Sequence, residues 1–301
     1  MITCAPDRRN ETLPRLSRRP IIRRVARRLH VPSLHVGDIP LEPAQAHHAR
    51  EVLRLNEGTP VEVFDNAGTV AAGTLVFSSD DGVSIRVDRI DSVTQKDAVR
   101  ITVASAIPKG ERADWMVEKL SELGVWAFIP LTMERSIVKP QGTNKYERWA
   151  RIATESAKQS RRHGVMRIEE LTGLKPIVEK WKQTNDARVL YLSTEPEAEP
   201  ILKVLAGTKA SRELLLLVGP EGGLSDTELE SLEASGAIGV KLTRTVLRVE
   251  TAAIAGAVAA QLFVTSHRAA LFEPEREGDA PAEPNPDTKT PARQEPRPPG
   301  Y

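Results

Sequence analysis

At 301 residues the chain exceeds the roughly 250–300 at which one hydrophobic core stops growing, so two modest domains are expected. Hydrophobic residues make up 40% and charged residues 28%, which excludes a disordered or fibrous class for the chain as a whole. The net charge of +1 excludes a global field for nucleic acid, so any basic face must be local.

Residues 1–26 are polar, Arg-rich and unpatterned. They lack the apolar stretch of a secretory signal, and Asp7 and Glu11 weigh against a mitochondrial transit peptide; a disordered basic extension is expected. The single cysteine, Cys4, excludes a disulfide framework or a cysteine metal site and suits a reducing, cytoplasmic setting.

Between 27 and 94, "RLHVP", "TPVEVFDNAG", "VAAGTLVFSS" and "GVSIRVDRI" alternate apolar with polar residues. Turn signals stand between them at Asn66-Ala67-Gly68 and Asp80-Asp81-Gly82. Only 43–53 reads as a helix. Several short, closely spaced strands predict a small β-barrel. His47 and His48 lie in its helix, but no partner ligands stand at metal spacing, so no metal is expected.

"TQKDA" at 94–98 marks a junction, and from 98 to 271 the pattern becomes βα. "VRITVASAI" is a strand and "ERADWMVEKLSELG" a helix with Ala113, Met116, Val117, Leu120 and Leu123 on one face; Gly124 stops it. "VWAFIPL" is a strand, and "NKYERWARIATESAKQSRR" is a long helix. "ARVLYLS", "ELLLLVG" and "IGVKLT" follow as strands. Strands separated by helices predict an α/β domain with a parallel sheet covered on both faces. The most apolar run, 252–264, is shorter than the roughly 18–20 residues of a membrane span, so no span is expected. Residues 272–301, rich in Pro, Glu, Asp and Arg, read as a disordered tail.

"LLLLVGPEGGLSD" joins a strand to Gly219-Pro220-Glu221-Gly222-Gly223, and Ser225-Asp226-Thr227-Glu228 is a capping box opening a helix. Such a turn commonly holds phosphate, but there is no Walker lysine and no G-x-G-x-x-G. Glu221 would also repel a phosphate about 4 Å away by on the order of 4 kcal/mol before screening. A neutral purine with a cationic centre, as in S-adenosylmethionine, escapes that objection; a tight turn with no ligand is the alternative. In "KLTRTVLRVETAAIAGAVAAQ" a strand and a loop with Arg244, Arg248 and Glu250 lead into a helix of small residues, capped by Thr251 or Glu250. That helix suits a close backbone contact or an ordinary core position.

Together, "LLVGPEGGLSDTELE" and "LTRTVLRVETAAIAGAVAAQ" closely resemble the ribosomal RNA uridine N3-methyltransferases, knotted enzymes of the SPOUT superfamily that act on 16S RNA of the small subunit. The resemblance extends through Lys109, Gly110, Lys119, Glu122, Leu123, Gly124, Glu134, Arg135 and Ser136. It continues through Trp149, Ile152, Glu155, Gln159, Ser160 and Arg162, and through His48, Val52, Leu53, Arg54 and Gly58. It covers about 27–272. The chain departs from the family at Ser193, where a histidine is common, and at Met166, where a proline is.

The resemblance implies a PUA-like barrel, a parallel sheet tied in a deep trefoil knot, S-adenosylmethionine bent into the knot loops, and a homodimer. The small-residue helix then becomes a dimer face. In that frame Gly219, Pro220, Glu221, Gly222, Gly223, Leu192, Ser193, Leu217, Leu242, Leu247 and Thr251 are expected at the cofactor, with plain core positions the alternative for the four leucines. Glu250 is the candidate base for the N3 proton and Arg248 the candidate cation near O2 or O4. A helix cap paired with Arg248 is the alternative for Glu250. Arg54, Arg135, Arg148, Arg151, Arg161 and Arg162 are candidates for RNA phosphate contacts, although a charged helix face is often only solvated.

Overall fold

The computed structural model describes residues 27–78, 82–91, 99–138, 143–184, 186–207 and 211–272. The basic extension, Asp80-Asp81, the "TQKDA" junction and the proline-rich tail lie outside the described residues.

The first unit holds β1 (Arg27–His30), β2 (Gly37–Pro40), β3 (Pro60–Phe64), β4 (Val70–Phe77) and β5 (Val83–Asp91), in sheet order β1-β3-β4-β5-β2. β1 pairs β3 in parallel and the other neighbours are antiparallel. Leu29, Ile39, Val61, Val63, Leu75, Ile85 and Val87 alternate inward and form one buried core. Asp65 shapes the first predicted turn, its Oδ1 accepting from the amides of Ala67 and Thr69 at 2.9 Å each. The helix expected over 43–53 is two pieces. An α-helical turn, α1 (Pro43–His47), runs into a π-helical turn over His48–Val52, where the Leu53 amide reaches back five residues to the His48 carbonyl at 2.9 Å. β2 was not anticipated, because "GDIP" is too short to show a period.

The second unit contains β6 (Arg100–Ala106), α2 (Arg112–Glu122), β7 (Ala127–Thr132), α3 (Thr143–Gln159), β8 (Arg167–Ile168), β9 (Thr172–Gly173), α4 (Leu174–Lys182) and β10 (Ala187–Leu192). β11 (Glu199–Pro200), α5 (Ile201–Ala206), β12 (Glu213–Val218), α6 (Asp226–Ala234), β13 (Ile238–Lys241) and α7 (Val249–Phe272) complete it. The parallel sheet runs β11-β13-β10-β12-β6-β7-β8, with β9 also on β7. β12 shows why both faces are covered. Leu214 and Leu216 join a core with α2, α3, α5 and α7, while Leu215 and Leu217 turn the other way, onto α4 and α6.

Tyr191 is level with Leu217, Val218 with Ser105 and Ala106 with Leu131. The strands therefore end together, and the loops 107–111, 133–138, 193–198, 219–225 and 242–248 all leave the same carboxyl edge. In an open α/β sheet that edge is where ligands bind.

α7 is longer than the apolar run read from the sequence. Its window Val249–Ser266 has a mean hydropathy of 1.4 and is long and apolar enough to cross a bilayer by length and composition. The shorter run was too narrow a frame, since Val249 and the residues after 264 extend it with Glu250 as its charged residue. Ala253, Ala257 and Ala260 are buried in the core, and a Cβ on Gly256 would stand 2.5 Å from Leu216 Cδ2. Leu262, on another side of the helix, is 63% exposed.

Candidate functional site

The glycine loop is held from outside. Its turn closes through the Gly223 amide onto the Pro220 carbonyl at 2.9 Å, with Gly223 at φ +73°, where a side chain would be strained. Ser225 caps α6 as expected: its Oγ accepts from the Glu228 amide at 3.4 Å, and its own amide donates to Glu228 Oε2 at 2.9 Å. The other Glu228 oxygen accepts from the Glu134 amide at 2.9 Å. Arg135 then donates Nη1 to the carbonyls of Gly222 and Leu224 at 3.0 and 3.2 Å. A Cβ on Gly222 would lie 3.1 Å from Arg135 Cβ, so glycine permits this close approach. Arg135, expected at an RNA phosphate, is in the structure a clamp on the loop. Glu221 is exposed and makes no ion pair or hydrogen bond among the described residues.

The other loop residues divide. Leu192, Leu242 and Leu247 are half-buried at the carboxyl edge. The Ser193 amide continues the sheet by donating to the Val240 carbonyl at 2.8 Å, and Ser193 Oγ accepts from the Glu195 amide at 3.1 Å. Leu217 is a correction: at 2% exposure it packs with Leu232 and Ile177 beneath α4 and α6, the face opposite α7. Its inward register, set by strand alternation, leaves it no surface toward a ligand. Thr251 does not cap α7. The Ala252 amide donates to the Arg248 carbonyl at 2.8 Å, so the helix starts earlier and Thr251 sits exposed within its first turn.

Beside this turn opens a cleft of about 390 Å³ lined by Glu111, Arg112, Trp115, Arg248, Glu250 and Thr251. Two helix starts build it. At 3.6 residues per turn, Arg112 and Trp115 stack on one side of the first turn of α2, and Arg248 and Thr251 do the same at α7. Glu250 is 4% exposed. Its Oε1 accepts from Arg112 Nη1 at 3.2 Å, while its Oε2 is buried without a hydrogen-bond partner. A carboxylate oxygen left unsatisfied inside a protein is costly, and such an exception calls for a ligand or a function. Arg248, the partner of Glu250 only in the alternative reading, is exposed; the ion pair is made by Arg112, 138 residues earlier in the chain. Arg112, Trp115 and Glu111 were not singled out from sequence. Their one signal was a polar start to α2 that its buried stripe, Ala113, Met116, Val117 and Leu120, does not use.

Among the arginines proposed for RNA, Arg54, Arg151 and Arg161 are exposed. Arg148 is exposed too but pairs with Asp114 at 2.6 Å. Arg162 is a correction. Its Nη1 and Nη2 donate to the carbonyls of Ser121 and Val125 at 2.9 Å each, closing the end of α2, and burial pushes its pKa down to about 10. With both terminal nitrogens tied to a helix end, this guanidinium serves the fold. The two units also meet here: Arg28, ion-paired to Glu62 at 2.6 Å and stacked on Phe64, donates to the Ala157 carbonyl of α3 at 2.9 Å. Among the described residues no three His, Cys, Asp or Glu side chains gather as a cation site.

Residues 95–261 match the model of an RNA methyltransferase domain, and residues 41–88 that of an RNA methyltransferase PUA domain. The chain is 32% identical over 213 residues to ribosomal RNA small subunit methyltransferase E of Bacillus subtilis, covering 69% of this chain and 83% of that protein. The chain belongs to the ribosomal RNA small subunit methyltransferase E family. The member from Synechocystis is 32% identical over 216 residues, 71% of this chain and 69% of its own length. Among solved structures, the methyltransferase E of Neisseria gonorrhoeae bound to S-adenosyl methionine superposes with a TM-score of 0.68 at 26% identity, covering 79% of this chain and 98% of that one. A methyltransferase from Legionella pneumophila with bound S-adenosylmethionine gives the same TM-score at 25% identity and the same coverage. Both expected domains of the methyltransferase E fold, the PUA-like unit and the parallel α/β unit, are thus present.

Proposed function

We propose that this chain transfers a methyl group from S-adenosylmethionine to N3 of a uridine in 16S ribosomal RNA, in the decoding region of the small subunit. The observation that carries the reading is the buried Glu250 carboxylate, one oxygen of it unpartnered, in the wall of a cleft at the carboxyl edge. Its partner residues in the reading are those of the loops around it.

The chain's own loops fit the methyl donor. Gly222 admits Arg135 against the loop and Gly223 takes a left-handed backbone, so the turn is held in one shape. Exposed Glu221 would oppose a phosphate and tolerates a sulfonium. Gly219, Pro220, Glu221, Gly222, Gly223, Leu192, Ser193, Leu242, Leu247 and Thr251 would hold it. When bound, it supplies an electrophilic methyl carried on a positive sulfur. Uracil N3 is protonated at neutral pH, so the nitrogen must lose its proton to become nucleophilic. Glu250 Oε2 accepts that proton and returns it to water afterwards; Arg112 keeps the carboxylate placed. Arg248, exposed at the cleft, offsets the negative charge that develops on the uracil carbonyls. Arg54, Arg151 and Arg161 supply phosphate contacts that set affinity without reading sequence.

Two further features belong to this reading. The exposed apolar side of α7 around Leu262 packs against a second copy, giving a homodimer. The chain threads as a deep trefoil knot. The strand order supports this, with β12 inserted between β10 and β6, and β13 added on the far side of β10.

Mass-spectrometric mapping of 16S RNA from cells lacking the protein tests the reading. One N3-methyluridine should disappear and return when purified protein and S-adenosylmethionine are added to the isolated small subunits. Full retention of N3-methyluridine, or loss of a ribose methylation instead, would contradict it.

A further inference from the structure

The chain has four tryptophans, and three are occupied. Trp149 is fully buried and Trp181 nearly so. Trp126 is flanked by the guanidinium groups of Arg100 and Arg167, each 4.7 Å from its ring centroid. Trp115 differs. It is 47% exposed, lines the cleft, and lies roughly 200° around α2 from Ala113, away from the buried stripe. The packing of α2 does not need it. A large aromatic ring bordering a cleft whose wall also holds a buried carboxylate with one unpartnered oxygen is suited to receive a flat ligand.

We infer that Trp115 is the stacking platform for the extruded target base, and that Arg112, Glu250 and Arg248 together read its edge. The inference rests on the proposed transfer to uridine and adds the means by which the base is chosen. To be modified at N3 a base must leave its stack, and unstacked bases settle on aromatic faces. The edge of uracil presents acceptor, donor, acceptor: O4, N3–H and O2. The cleft offers the complement. Glu250 Oε2 is the free acceptor. Arg112 has donors left beyond the one used on Oε1, and Arg248 stands exposed at the same cleft. Cytosine would set the N3 lone pair against the Glu250 carboxylate and an amino donor against a guanidinium, two repulsions that exclude it.

The test uses the full chain and a short single-stranded RNA with a central uridine, its central-cytidine counterpart, and the same strand with an abasic centre. Affinity is read by fluorescence anisotropy. The wild type should prefer the uridine strand to the abasic one by about 5- to 150-fold, the range of one aromatic–base stack. Trp115→Ala should cut that preference by at least about fivefold and Trp115→Phe should keep most of it, with S-adenosylmethionine affinity unchanged in both as the check on folding. Arg112→Met should keep the preference for a base over no base but narrow that for uridine over cytidine. The platform is overturned if the wild type binds the uridine and abasic strands equally, or if Trp115→Ala keeps the wild-type preference undiminished. The outcomes remain separable from the transfer chemistry. Base-dependent binding lost in Trp115→Ala, with no N3 methylation by the wild type, sinks the transfer and leaves the platform. Wild-type N3 methylation, unaltered in KM or kcat by Trp115→Ala, does the reverse.

Discussion

Replacing Arg162 with methionine keeps the aliphatic stem and removes the guanidinium that closes the end of α2. The two bonds lost, to the Ser121 and Val125 carbonyls, are charge-assisted and 2.9 Å long. At about 1.5–3 kcal/mol each, they contribute roughly 3–6 kcal/mol. Burial opposes this. A pKa lowered from 12.5 to about 10 corresponds to a desolvation penalty on the order of 3 kcal/mol, which the methionine does not incur. The Ser121 carbonyl also keeps the Gly124 amide at 3.0 Å, so its loss is partly cushioned. The difference is a destabilisation of at most about 3 kcal/mol, or up to roughly 10 °C in Tm for a unit of this size. Thermal unfolding followed by circular dichroism measures it, with exposed Arg161→Met as the control. An unchanged Tm, joined to a weaker salt dependence of RNA binding, would refute the structural role and return Arg162 to the phosphates.

Arg135→Ala should raise the Kd for S-adenosylmethionine by about tenfold, the effect of roughly one charge-assisted hydrogen bond, through a loosened glycine loop. Calorimetry measures that, and the salt slope of RNA binding should stay constant; a slope lower by about 1 would mark a phosphate contact instead. His30 is buried beside Phe64 with Nε2 2.8 Å from Asn66 Oδ1, and desolvation lowers its pKa below 6.5. Between that lowered value and 6.5 the unfolded chain binds more protons, so stability is full above pH 6.5 and falls as the pH drops through this window. Tm measured against pH should show the fall and His30→Gln should flatten it in part, since burial also lowers His163; an identical profile for the variant would remove His30 from the account.

The strands of both units were legible because each carries its own period. The glycine loop and its capping box were legible because Gly223 and Ser225 serve local backbone needs. What stayed hidden depends on distant partners. Arg162 and Arg151 look alike in the text, and only the end of α2, some forty residues upstream, decides that one is structural and the other exposed. Glu250 stands out in the text as a candidate, but its only visible partner there is the neighbour Arg248, whereas packing of α2 against α7 brings in Arg112. Leu217 was placed at a ligand for its position at a strand end; the alternation of β12 turns it into the opposite core. Two-residue strands such as β8 and β11 have no pattern of their own and arise from pairing alone.

Glu250→Gln is the most direct test of the central claim, because it keeps the shape of the side chain and removes its basicity. With saturating S-adenosylmethionine and small subunits lacking the modification, the single-turnover rate of N3 methylation should fall about 10²- to 10⁴-fold, the range for a positioned general base. Affinity for the methyl donor should be preserved. A rate close to that of the wild type would contradict the account.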